Sequence, residues 1–247
     1  YRNELIAFAL IVTGSVAVML QRIRFPEHTR GLLLTISAAM MATLIAWIFA
    51  RERFHQFFAL VFDFSFEYQA IHNIAFLGIP HLSLGEKDGL FDRIYFADHT
   101  PILYYLVALL YRLYPEPTTL IFLQALAISG GAVPLYLLAR DQLNAMSALF
   151  LTMAYLLFPA AQIVTQWDLH AYAFAVPIFL SAFYFYHRDH WPLTLLLFTL
   201  AGMAREDAPL LVIAFGLTLL PQRTEVRRGV AILGLGFVQF FLLGNVV

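Results

Sequence analysis

The feature that most limits what this chain can fold into is a series of long apolar stretches without one charged residue. They cover Leu5–Leu20, Gly31–Ala50, Pro117–Ala139, Gln142–Trp167, Ala171–Tyr186, Trp191–Ala204, Ala208–Gln222 and Gly229–Val247. A helix needs about 20 mostly apolar residues to cross a bilayer, and eight such runs are too many for the core of one soluble domain of 247 residues. Hydrophobic residues make up 61% and charged residues 13%, against about 45–50% and about 25% in soluble domains. Such a chain cannot cover itself with polar surface. The expected fold is all-α, a polytopic transmembrane helical bundle forming a single transmembrane domain over 1–247.

The net charge of −1 gives no basic footprint for nucleic acid. With no cysteine, disulfides and thiolate metal sites are excluded. The chain begins at Tyr1 and stops inside an apolar run, so it reads as a piece of a longer protein. Its first run lacks the basic leader and small-residue cleavage site of a signal peptide.

If each run crosses once, the connections alternate between two sides. One side holds residues 21–30, 140–141, 187–190 and 223–228, rich in Arg. The other holds 51–116, then Asp168 with His170, then Arg205, Glu206 and Asp207. Twelve of the 16 acids fall on this second side, counting Glu4, while Lys and Arg divide eight to seven. Counted over the short loops alone, Arg places the first side in the cytoplasm, so the acidic side faces outward from an integral plasma-membrane protein. Pro101–Tyr111 is apolar but too short to span. Reading 101–114 as a juxtamembrane helix keeps every acidic motif on one face. Residues 51–116 then form a long first extracytoplasmic loop containing juxtamembrane helices, whose aromatic stretches 54–68 and 94–105 suit the headgroup level. Residues 117–247 carry transmembrane helices with short loops.

Four polar clusters share that outer face. In the first, Asp63 and Glu67 lie four apart, on one side of any helix, with Gln69, His72 and Asn73 following. Neighbouring carboxylates repel, so a metal, a cation or a shared proton would settle them; a solvated polar face is the plainer alternative. In the second, Asp98 or Thr100 can cap a helix that begins near Pro101, which leaves His99 unexplained. The third is Trp167-Asp168-Leu169-His170. Asp168 and His170 offer oxygen and nitrogen ligands to a divalent metal, or else a cap and an interfacial histidine. In the fourth, Arg205-Glu206-Asp207, geometry contributes. Residues 191–222 provide 32 residues for two crossings, about 24 Å per leg against a hydrocarbon core of about 30 Å. This turn should lie below the surface, where ionisable groups are functional by default, although an Arg205 ion pair that only stabilises the turn is the rival reading.

Taken together, the clusters describe an acidic, His-containing cavity suited to a divalent cation (Mg, Mn or Zn) and a general base. Catalytic candidates are Asp63, Glu67 and His99; substrate-binding candidates are Gln69, His72 and Arg205; metal candidates are Asp98, Asp168, His170, Glu206 and Asp207. Other features read blandly. Gly130-Gly131 with Pro134 kinks or closely packs a membrane helix, Gly234-x-Gly236 lacks the context of a nucleotide loop, and His187 through His190 form a solvated turn.

These motifs resemble a family of prokaryotic predicted membrane proteins of unknown function, related to the GT-C superfamily of membrane glycosyltransferases. The resemblance rests on Phe62-Asp63 through Gln69 to Asn73, on Asp98-His99-Thr-Pro-Ile-Leu and on Leu110-Tyr-Arg-Leu-Tyr-Pro115. It continues through Leu123-Gln124-Ala125, Pro134-Leu-Tyr136, Trp167-Asp-Leu-His170-Ala-Tyr-Ala-Phe and Arg205-Glu-Asp207. It implies a GT-C-like fold, a polyprenyl-phosphate sugar donor in the membrane lipid and transfer at the extracytoplasmic face. Asp63 would match the loop aspartate that acts as base or orients the acceptor, and Asp168 a metal-binding aspartate. Tyr68 stands where the family more usually has a second aspartate. Two rival functions remain: a transporter or channel with an acidic outer vestibule, and a non-catalytic relative of the fold.

Overall fold

The computed structural model describes residues 27–56, 61–83, 93–95, 99–166 and 168–244. The apolar run Leu5–Leu20, Asp98 and Trp167 lie outside the described residues. The remaining apolar runs are helices. They are α1 (Glu27–His55), α4 (Pro117–Gly130) followed directly by α5 (Ala132–Gln142), α6 (Ala145–Leu156) with α7 (Pro159–Gln166), α8 (Ala171–His187), α9 (Trp191–Gly202), α10 (Pro209–Leu219) and α11 (Val226–Gly244). Between α1 and α4 lie α2 (Val61–Leu77), two short strands and α3 (Tyr104–Tyr111).

The seven apolar runs that fall within the described residues are not seven full-length crossings. Among the described residues three helical stretches are long and apolar enough to span: Thr29–His55, Pro117–Gln142 and Val226–Gly244. A fourth arises if α6 and α7, bent by 44°, count as one. The bend has a local cause: Pro159 lacks an N–H and disfavours helical backbone at Phe158. Helices α9 and α10 have 12 and 11 residues, about 18 and about 16 Å long. They are even shorter than the sequence expectation, because α9 stops at Gly202 and α10 restarts only at Pro209.

The segment before α4 also differs from expectation. Among the described residues of 94–105, only Tyr104 and Tyr105 lie in an α-helix. Strands β1 (His81–Leu82) and β2 (Arg93–Ile94) pair antiparallel, His81 opposite Ile94, and α3 begins only at Tyr104, with no side-chain cap at Leu103. The Thr100 hydroxyl has no partner among the described residues, and a turn leads into the helix, the Tyr104 N–H donating to Pro101 O at 2.9 Å.

The core runs through α2, α3, α4, α8, α9 and α10. Phe179 and Phe183 of α8 meet Phe198 of α9 at 6.3 and 5.6 Å between ring centres, and Phe183 meets Phe215 of α10 at 4.9 Å. The Arg-bearing turns collect at one end of this column. Arg188 pairs with Asp141 at 2.9 Å, Arg228 pairs with Asp189 at 2.7 Å, and the Tyr186 hydroxyl donates to Glu225 at 2.6 Å. His187 and His190 of the same turns are exposed.

Helices α10 and α11 pack with their backbones close together. A Cβ placed on Gly216 would stand 3.0 Å from the Gly229 carbonyl oxygen, and one on Gly229 would stand 3.0 Å from that of Gly216. Gly131, at the junction of α4 and α5, leaves room for the Tyr155 hydroxyl, which donates to Ile128 O at 2.5 Å. Gly234 faces open space. Gly229→Val should therefore push α11 from α10 and destabilise the protein by about 1–3 kcal/mol, whereas Gly234→Val should leave thermal unfolding in detergent nearly unchanged.

Candidate functional site

At the end of the column opposite the Arg turns, three connections and one helix face enclose a cavity of about 400 Å³. Helical periodicity puts Asp63, Phe66 and Glu67 of α2 on the cavity side. The segment after β2 adds Tyr95, His99 and Pro101. The α7–α8 connection and the start of α8 add Leu169, His170, Ala171 and Tyr172, and the α9–α10 turn adds Arg205. Five of the residues singled out in the sequence thus converge on one cavity: Asp63, Glu67, His99, His170 and Arg205.

The carboxylates there differ sharply in environment. Glu67 accepts a hydrogen bond from the Tyr95 hydroxyl at 2.6 Å. Tyr104 turns its hydroxyl toward the same carboxyl and helps to hold its charge. The geometry falls short of a full bond, so Glu67 Oε2 and Tyr104 Oη are both shut from solvent without a partner among the described residues. Burial outweighs these hydroxyls and pushes the Glu67 pKa up to about 7 from 4.5. Folding therefore favours the protonated acid. That contribution to stability is fully present below pH 4.5 and is lost as pH rises through about 7. Burial, then the charge of Glu67, in turn pushes the Tyr95 hydroxyl up.

Glu206 shows the opposite balance. Burial alone would raise its pKa, but hydrogen bonds from its own backbone N–H, His99, the Thr100 N–H and Arg205 hold it below the usual range. His99 Nδ1 lies 3.0 Å from Glu206 Oε1, Thr100 N–H donates to Oε2 at 3.3 Å, and Arg205 Nε donates to Oε1 at 3.2 Å. Arg205 also lies 3.7 Å from Asp207 and 5.6 Å from the centre of the Tyr172 ring, whose hydroxyl donates to Asp207.

Two expected substrate contacts lie elsewhere. Gln69 accepts from the Ser83 N–H at 2.9 Å and donates to the Ser83 hydroxyl at 2.8 Å, fixing the end of β1. His72 lies 3.1 Å from the Tyr111 hydroxyl and ties α2 to α3. Among the expected metal ligands, Asp168 is buried at 3% exposure behind the cavity wall. Glu206 and Asp207 are held by the neighbours just described, and of the candidates among the described residues only His170 lines the cavity. No group of three carboxylate or imidazole ligands able to hold a metal occurs among the described residues.

Several working residues went unflagged. Tyr95, Phe66 and Tyr172 line the cavity as ordinary aromatics of an aromatic-rich chain. Gln124 of α4 is 1% exposed. It donates to Val164 O at 2.9 Å and Asp168 O at 3.1 Å, and accepts from the His170 N–H at 2.7 Å. One side chain thus closes the break between α7 and α8 and sets His170 at the cavity. A single glutamine inside an apolar run was the available signal.

A family model matches residues 53–247, spanning every side chain of this cavity. The chain belongs to DUF2079. That family is described as predicted membrane proteins, in agreement with the spanning helices. No curated protein and no solved structure matches the chain. DUF2079 membership thus supplies the membrane class, and the chemistry has to be argued from the cavity.

The Gln124 clip provides a test of the site's architecture. Gln124→Leu would strand two carbonyls and one N–H in an apolar setting. We expect a loss of about 1–3 kcal/mol for each group left unsatisfied, read as a lower unfolding temperature in detergent.

Proposed function

We propose that this DUF2079 protein is a membrane glycosyltransferase of the GT-C type, moving a sugar from a polyprenyl-phosphate donor to an acceptor hydroxyl at the extracytoplasmic face. The observation that carries the reading is the convergence of two carboxylates, two imidazoles and a guanidinium on one cavity at the end of an apolar bundle. Sugar transfer from a phosphate needs a base for the attacking hydroxyl and positive charge for the departing phosphate. Glu67 is the base, since a proton acceptor works best with a pKa near the operating pH. Asp63, exposed at the mouth, orients the acceptor. Arg205 and His170 face the phosphate.

In the reaction the acceptor proton passes to Glu67 and the acceptor oxygen bonds to the anomeric carbon. The bond from that carbon to the phosphate oxygen breaks, its electron pair leaving with the polyprenyl phosphate. Every step is assigned to side chains of this chain. The aromatic rings of Phe66 and Tyr172 offer the sugar an apolar wall.

The test is transfer by the purified protein in liposomes, with a panel of radiolabelled polyprenyl-phosphate sugars and membrane extract as acceptor. Wild type should label the extract, and Asp63→Asn and Glu67→Gln should each reduce the rate by about 10²–10⁴-fold with unfolding temperatures retained. Full activity in both variants, or no transfer by wild type from any donor, overturns the reading.

The pH profile is a separate check. Glu67 accepts a proton only when ionised, so the rate should climb as pH rises through about 7. Tyr95→Phe removes a donor that favours the charged form, and should move the midpoint upward.

A further inference from the structure

Helix α3 is apolar on every side. Tyr104, Val107, Ala108 and Tyr111 are buried against the protein, mainly α2, while the opposite face presents Leu106, Leu109 and Leu110 at 48%, 64% and 51% exposure. Leu113, just beyond the helix, is 83% exposed. The patch continues onto the end of α2, where Phe76, Leu77 and Ile79 are also exposed, and the Tyr105 hydroxyl joins the two parts by donating to Gly78 O at 3.2 Å. A helix that is hydrophobic all round is a buried helix, and a patch of this kind rarely meets water.

The connections of α3 fix its depth. Its first residues are bonded to the α9–α10 turn, where Leu103 N–H donates to Met203 O at 2.9 Å. Helix α9 starts at Trp191, whose ring lies 5.9 Å from the Arg228 guanidinium in the ion-paired turns at the far end; an aromatic and charged group of this kind marks a membrane interface. Twelve residues of helix rise about 18 Å from there, so the turn at Met203 stops about 12 Å short of the opposite edge of a core about 30 Å thick. The start of α3 lies at that depth. The polar residues Arg112 and Glu116, both exposed, come only after the helix ends.

We infer that α3 and the end of α2 are inserted among the acyl chains of one leaflet, as a hairpin that enters the bilayer without crossing it, and that lipid covers the exposed leucine face. The sequence placed this segment at the headgroups; the bond to Met203 takes it deeper. His99 and Pro101, directly before α3, then put the cavity edge within reach of the bilayer interior. A ligand with a polar head and a hydrocarbon tail can enter there from the side.

Site-directed spin labelling tests the insertion without an activity assay, so its outcome is independent of the transferase reading. These residues contain no cysteine, and Leu106→Cys, Leu109→Cys, Leu113→Cys and Phe76→Cys alter exposed positions that tolerate substitution. In liposomes of phosphatidylethanolamine and phosphatidylglycerol, each label should collide with oxygen several-fold more often than with a water-soluble nickel chelate. Leu106 should lie deeper than Leu113, and a Val107→Cys label should be shielded from both reagents. Preferential collision with the nickel chelate at Leu109 and Leu113 would place the face in water. Low collision with both would place it against protein, such as a second copy of the chain. Either result overturns the inference.

Discussion

A helix satisfies its own backbone everywhere except at its ends, and inside a bilayer no water is available to complete the job. This chain breaks its helices repeatedly at depth. Each break is closed by a particular group: Gln124 for the α7–α8 connection, Met203 O for the Leu103 N–H, and Glu206 for the Thr100 N–H. The cavity lies where these breaks meet. Its polar character follows from the same requirement, because the groups that complete the broken backbone are those that collect His99, Arg205 and His170 around one space.

At and beside the cavity the two glutamates have been driven apart. Glu206 is surrounded by an imidazole, a guanidinium and backbone N–H groups, which fix its charge and use it to organise the turn. Glu67 has hydroxyls for neighbours, and a hydroxyl compensates a buried charge far less than a cation does. It therefore titrates near neutrality while Glu206 stays ionised. Environments that separate like groups in this way are how acid–base roles are divided in a site. Here the division comes from which connection each glutamate occupies: Glu206 in a short turn between two helices, Glu67 on a helix face packed against tyrosines.

Much of this was legible in the residues, and the failures have physical reasons. The apolar runs located the helices, and the alternation of their connections located the two ends, because periodicity and hydrophobicity act locally. Helix breaks were harder to see. Pro159 marks the one inside the run Gln142–Trp167, but there a proline does not announce whether it kinks or ends a helix. Strands β1 and β2 were invisible because two residues carry no pattern. On α2, Gln69 and His72 lie off the cavity because of their angle around the helix. Glu67 sits about 40° from Asp63 around the helix, whereas His72 sits about 180° away, so residues close in sequence serve opposite faces. Sequence neighbours can also turn in different directions at a break: His170 lines the cavity and Asp168 is buried.

The burial of the site bears on why an acid such as Glu67 belongs there. A carboxyl in open water would stay ionised at neutral pH and would be held by its hydration shell. Packed behind Tyr95 and Tyr104, it loses most of that shell to the protein itself, and this burial is the first cause of its raised pKa. The short helices α9 and α10 are also more than a packing detail. Had each been a turn and a half longer, about 8 Å, Arg205 and Glu206 would approach the aqueous surface and Leu103, bonded to Met203, would be carried with them. On the inserted arrangement inferred for α3, the cavity edge would then meet water instead of lipid.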